Sequence, residues 1–246
     1  MVVETQTFLN FYLDTELPEL LLVDGIQGRN TNNAISEAIL KLQDKFRKEN
    51  LNWDKDFNFI GIRTSNKITN RYDDWFVIFH SNTLVAIPAS TKGGTPAIMK
   101  YWNRWVKGIR GFGTIKENQQ IDYLLVRGTK SGWASWTGGL GFLFQDKPIQ
   151  VYRDPNTDNV IDTSVLITSQ GDGFNVHSWA KVNALRPNPP ILNTKARFMN
   201  LPNYVGNMSE GCQVTLANYW TWLFQVLIRN ARKVGNQERI FYTLLY

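Results

Sequence analysis

Thiol and imidazole are the side chains best suited to covalent chemistry here. The chain holds few of either: one cysteine, Cys212, and two histidines, His80 and His177. A cysteine nucleophile reacts as its thiolate, and a free thiol with a pKa of about 8.5 is mostly protonated at neutrality, so it needs a base. His80 lies inside the apolar run "VIFHSN" beside a turn, where a histidine is ordinarily a strand-end residue satisfied by backbone. His177 stands in "GDGFNVHSWA", after a glycine-rich turn and the alternating Phe174, Asn175 and Val176. That context predicts the end of a strand, where a rigid element presents a side chain to a cleft. Cys212 follows Gly211 and leads into the apolar "QVTL". The plain alternative is a small buried hydrophobe, the usual role of a lone cysteine.

A second group is "DPNTDNVID", in which Asp154, Asn156, Asp158 and Asp162 space oxygen donors as a calcium loop does. Asn159 replaces the glycine that such a loop wants, and an Asp- and Asn-rich turn between strands needs no metal. No other cofactor is expected.

The elements that must position these residues are mostly strands. From residue 57 onward, "FNFIGIRT", "DWFVIFHSNTLVAIPAST", "IDYLLVRGT", "GFLFQDKPIQVYRD" and "VIDTSVLITS" are short aromatic and β-branched runs bounded by Asn, Gly, Asp or Pro. Ser81 and Asn82 between two such runs predict a hairpin turn. "PAIMKYWNRWVKGIRGFG" reads as a short helix or an aromatic-lined loop. "LANYWTWLFQVLIRNARKV" carries an apolar stripe through Tyr219, Leu223, Val226 and Leu227, with basic residues at its end, and predicts a C-terminal helix. Near the start, Asp24, Gly25 and Gly28 form a turn. It leads into a helix marked by Ile35, Ile39, Leu42 and Phe46, with Asn30 or Thr31 as its cap. The expected fold is β-rich α+β, with a small N-terminal helical element over residues 1–56 and a main domain over 57–246.

The 246 residues suffice for one large domain, and one cysteine excludes an intramolecular disulfide framework. No segment approaches membrane-spanning length, and the start lacks the pattern of an export signal. A charge of +6 with nine tryptophans suits nucleic acid or an anionic cell wall. The Lys and Arg residues are scattered and do not interleave with the tryptophans on one segment, which argues against a nucleic-acid module.

Particular spellings add to this. Val23-Asp24-Gly25-Ile26, then Gly28, Thr31, Ala34-Ile35 and Gln43, resemble the peptidoglycan-binding repeat found beside many wall hydrolases. The second half of that repeat is replaced by "RKENLNWDKDFNF", so this copy is a degenerate one that serves as a packing element. "NVHSW" followed by "SEGCQV" resembles the catalytic signature of the L,D-transpeptidases, the YkuD-type cysteine enzymes of peptidoglycan. "YRDPNTD", "RYDDWFVIF" and "IPAST" are similar to a branch of that family seen in bacteriophages and Bacteroidetes-like bacteria, extending the likeness over residues 60–220.

The resemblance implies a YkuD-like mixed β-sheet or sandwich. It also implies Cys212 as nucleophile, His177 as base, Gly211 and Cys212 N–H groups forming an oxyanion hole, and Ser178 and Ser209 as flanking serines. Glu210 stands where the family usually has a second histidine; an anion aimed at the sulfur would oppose ionisation, so either Glu210 points away or the site is slow or inactive. The proline-bearing stretch between His177 and Cys212 reads as an inserted loop, a lid or substrate wall. The implied substrates are peptidoglycan stem peptides. The implied setting is the bacterial wall, reached from a phage-infected cytoplasm as an endolysin or carried in a virion. A non-catalytic wall-binding or virion structural protein is the alternative.

Overall fold

The computed structural model describes residues 1–14, 16–17, 19–67, 71–92, 113–128, 140–153, 160–171, 174–179 and 211–246, with the side chains of 178 and 179 excepted. Twelve strands and three helices occur among them. Helices α1 (Val2–Tyr12) and α2 (Arg29–Lys48) precede strands β1 (Phe57–Ile62), β2 (Asp74–His80) and β3 (Thr83–Ser90). Next come β4 (Gly113–Ile115), β5 (Gln119–Arg127), β6 (Gly141–Phe144), β7 (Ile149–Arg153), β8 (Val165–Ser169) and β9 (Val176–Trp179). The chain ends with β10 (Gln213–Leu216), helix α3 (Ala217–Asn230), β11 (Arg232–Val234) and β12 (Gln237–Leu245).

Eight strands close in the order β1-β2-β3-β10-β9-β6-β5-β12, because β1 pairs with β12 as well as with β2. β11 extends beyond β12, and β4, β7 and β8 form a separate small sheet. The β1–β12 and β9–β10 pairs are parallel, and the others are antiparallel. β6 and β9 share one register pair and β3 and β10 share two, so the ring is loosest on either side of β9 and β10. The architecture is β-rich α+β, a closed sheet of barrel or sandwich character.

Strand patterning follows what covers each face. β5 alternates buried and less buried positions, as a strand with one covered face does. β1 is buried almost throughout: Phe59 faces the barrel core, while Ile60 and Ile62 pack outward against α1 and α2. Phe8, Leu9, Ala34, Ile35, Ala38, Leu42 and Phe46 join Ile60, Val77 and Ala86 in that outer core, so the N-terminal helices and the sheet share apolar packing. Ser81 and Asn82 both take positive φ, 48° and 64°, the mirror-image turn that suits a tight hairpin.

Two expectations change. Thr31 does not cap α2: the N-cap is Gly28, without a side-chain cap bond. Gln6 of α1 instead organises the turn, donating to Asp24 Oδ1, Ile26 O and Thr31 Oγ1 and accepting from Gly25 N. The C-terminal helix ends at Asn230, and its expected basic tail is strand β11. β12, which follows, closes the ring. Its alternating Ile240, Tyr242 and Leu244 face the core, a period of two that the preceding helical stripe obscures.

Candidate functional site

β9 and β10 run side by side in parallel, with Val176, His177 and Ser178 opposite Gln213, Val214 and Thr215. Successive side chains point to opposite faces. Val176 belongs to the barrel core, and Gln213 points the same way, accepting a hydrogen bond from the buried Tyr242 hydroxyl. His177 and Val214 therefore lie on the outer face. Cys212 immediately precedes β10 and packs with Val214, the residue opposite His177. Both residues are buried, Cys212 at 5 % exposure and His177 at 2 %. His177 sits near the start of its strand, not at the end where the glycine-rich approach had suggested.

The approach to β9 is held by buried polar groups. Gln145 N donates to Asn175 Oδ1 (3.0 Å), and Phe174 N donates to Gln145 Oε1 (3.2 Å). Tyr123 Oη donates to Phe174 O (2.7 Å), and burial pushes its phenol well above the ordinary pKa, so it remains a donor. Gln213 N reaches back to Asn175 O at 2.8 Å, tying the residue after Cys212 to the residues before His177.

Gly211 adopts φ 150°, and a Cβ there would lie 2.5 Å from Cε1 of Phe174 and 2.8 Å from Gly113 O. A Cβ on Gly113 would in turn meet the Phe174 ring at 2.2 Å. The two glycines thus receive the Phe174 ring, and Arg153 lies over that ring at 5.4 Å. Close backbone approach is the reason for glycine before the cysteine.

Tyr72, which precedes β2, packs against Cys212 and Val214. Its hydroxyl is buried without a hydrogen-bond partner among the described residues, and burial pushes its pKa up. Directly after it, Asp73 and Asp74 hold the fully buried Lys92 at 2.8 and 3.1 Å. Asp74 also accepts from Thr91 N and Oγ1. Arg63 completes the cluster through Glu117, Thr91 and the Ile115 carbonyl, with burial pulling its pKa below the ordinary value. This ionic cluster fixes Tyr72 and the end of β3 beside β10. Spacing in the sequence gave no sign of it, because residues 63, 72, 92 and 212 meet only through strand pairing.

Among the other site candidates, Ser178 lies opposite Thr215, while Ser209, Glu210, Asp154, Asn156 and Asp158 fall outside the described residues. The aromatic segment before β4 falls outside them too. Asp162 accepts from Ser164 N at 2.7 Å, and that bond lowers its pKa; it behaves as a turn residue. Among the described residues, no group of three His, Cys, Asp or Glu side chains is placed to hold a metal. No described helix is long and apolar enough to cross a membrane. His80 ends β2 at the hairpin turn, remote from the Ser90 end where β3 meets β10.

Comparison with known proteins adds no relative: no family model, curated protein or solved structure matches the chain.

Proposed function

We propose that the chain is a peptidoglycan-active cysteine acyltransferase or peptidase of the L,D-transpeptidase type, with residues 57–246 as a YkuD-like catalytic domain. The observation that supports this is that Cys212 packs with Val214, which stands opposite His177 across the parallel β9–β10 pair. His177 takes the thiol proton, and the Cys212 sulfur attacks a stem-peptide carbonyl. The tetrahedral intermediate collapses as the C–N bond breaks and His177 returns the proton to the leaving amine. The thioester then passes to an amine, giving a cross-link, or to water, giving hydrolysis. Backbone N–H groups at Gly211 and Cys212 are the oxyanion donors in this reading. The chain's positive charge favours an anionic wall, and delivery by a phage, as endolysin or virion component, fits the likeness of its motifs.

A second reading, a wall-binding or virion structural protein that retains the fold, draws on the deep burial of both side chains. One experiment separates them. Purified sacculi are incubated with wild type and Cys212→Ala, and muropeptides and melting temperature are measured on the same samples. Catalysis predicts a changed muropeptide profile that reverts in the variant while the fold persists. Sedimentation with sacculi and an unchanged profile for the wild type favours the structural reading.

A further inference from the structure

A cavity of about 370 Å³ lies against the outer face of β12. In the closed ring β12 stands four strands from β10 in either direction, so this cavity is on the opposite side from Cys212. Helices α1 and α2 cover the outward residues of β1–β3 and stop short of it. Its walls come from the loop between α2 and β1, from Asn230 at the end of α3, and from β11 and β12.

The lining combines two chemistries. Trp53 and Phe241 supply aromatic surface; Phe241 is 39 % exposed, and Arg232 lies over its ring at 3.5 Å. Among the described residues, the polar atoms left over by internal bonding are three acceptors and the cationic donors of Lys55 and Arg232. Asn230 spends its Nδ2 on Val226 O and retains Oδ1. Asn52 directs Nδ2 towards Gln120 and retains Oδ1. Asp54 accepts from Asp56 N and Phe57 N through Oδ1 and retains Oδ2. Lys55, in no ion pair among the described residues, is an available cationic donor. An anionic ligand would meet three acceptors, one of them charged. A cation would meet Lys55 and Arg232. A neutral ligand with several O–H donors and an apolar C–H face satisfies both sets.

We propose that this cavity binds a neutral saccharide, with its C–H face against the Trp53 and Phe241 rings and its hydroxyls donating to Asn52, Asp54 and Asn230. The site is independent of the chemistry assigned to Cys212. The test is calorimetric titration of the full chain with triacetylchitotriose and with maltotriose, followed in parallel by tryptophan fluorescence. At least one sugar is expected to bind, and Phe241→Ala should weaken it about tenfold. Asn230→Ala, a second variant at a half-buried position, should weaken it as well. Cys212→Ala should bind as wild type does, so loss of the acyl-transfer reading leaves this one standing. Absence of binding to either sugar at about 20 mM, or equal binding by Phe241→Ala and Asn230→Ala, overturns the proposal. So does binding of inorganic phosphate that Lys55→Ala abolishes while both sugars remain inert, which would make the cavity an anion site.

Discussion

Val214 stands directly opposite His177 across the parallel β9–β10 pair, and Cys212 packs with Val214. If His177 is the base, His177→Ala leaves a thiol with no group to take its proton. Iodoacetamide alkylation of Cys212 at pH 7 should then slow about tenfold or more, and the deficit should close as the pH rises past about 9. Mass spectrometry of the adduct reads both. A rate at pH 7 equal to wild type would remove His177 from the role.

Gly211 is a position whose replacement the backbone tolerates poorly. Alanine there meets both a φ of 150° and the Phe174 ring, and Gly113 O limits movement on the other side. Gly211→Ala should cost about 2 kcal/mol or more in urea unfolding. The two causes separate in a double-mutant cycle: in a Phe174→Leu background the steric share should shrink while the backbone share persists. Strict additivity would mean that the ring is not what excludes the methyl group.

What the sequence disclosed depended on how local each signal was. β1 to β3, β5 and α2 announce themselves through period and turn residues, and the Ser81-Asn82 hairpin through its residue types alone. β12 was hidden because the basic stretch after α3 read as that helix's tail, and ring closure through β1 joins segments far apart in the chain. At the site, Cys212 and His177 stood out because their side-chain types are scarce. Tyr72, Phe174 and the Lys92 cluster did not, since an aromatic or a lysine in a strand-rich chain is unremarkable until pairing brings it to the cysteine.

Tyr72 has a hydroxyl that burial strips of water and no partner among the described residues replaces. Tyr72→Phe keeps the ring against Cys212 and removes the unsatisfied donor, so it should stabilise the fold by about 1 kcal/mol, raising the melting temperature by about 2–4 °C. The same variant tests whether the hydroxyl is retained for function. A gain in stability accompanied by slower acylation of Cys212 by an activated ester marks Tyr72 as a donor to the bound acyl group. A gain with no change in acylation leaves the hydroxyl without a role at that step, and a loss of stability contradicts the buried, unpartnered geometry.

Arg239 sits almost fully buried on β12 and grips Asp146 through two bonds, Nη1 to Oδ2 at 2.8 Å and Nη2 to Oδ1 at 2.6 Å. Those bonds hold the Asp146 carboxyl below its ordinary pKa of 3.8. A carboxylate depressed in the folded state binds its proton more readily in the unfolded chain. Its contribution is therefore complete above the ordinary aspartate range and is lost as the pH falls through the lowered folded value. Asp146→Asn keeps the shape and removes the titration. Stability measured by urea unfolding from pH 7 down to pH 3 should fall less steeply at the acid end in Asp146→Asn than in wild type. At pH 7 the variant should be the less stable of the two, because Arg239 retains only Asp122 as a charged partner. Parallel acid limbs for the two proteins would show that Asp146 titrates alike in the folded and unfolded chain, and that the bidentate grip of Arg239 contributes nothing to the pH dependence.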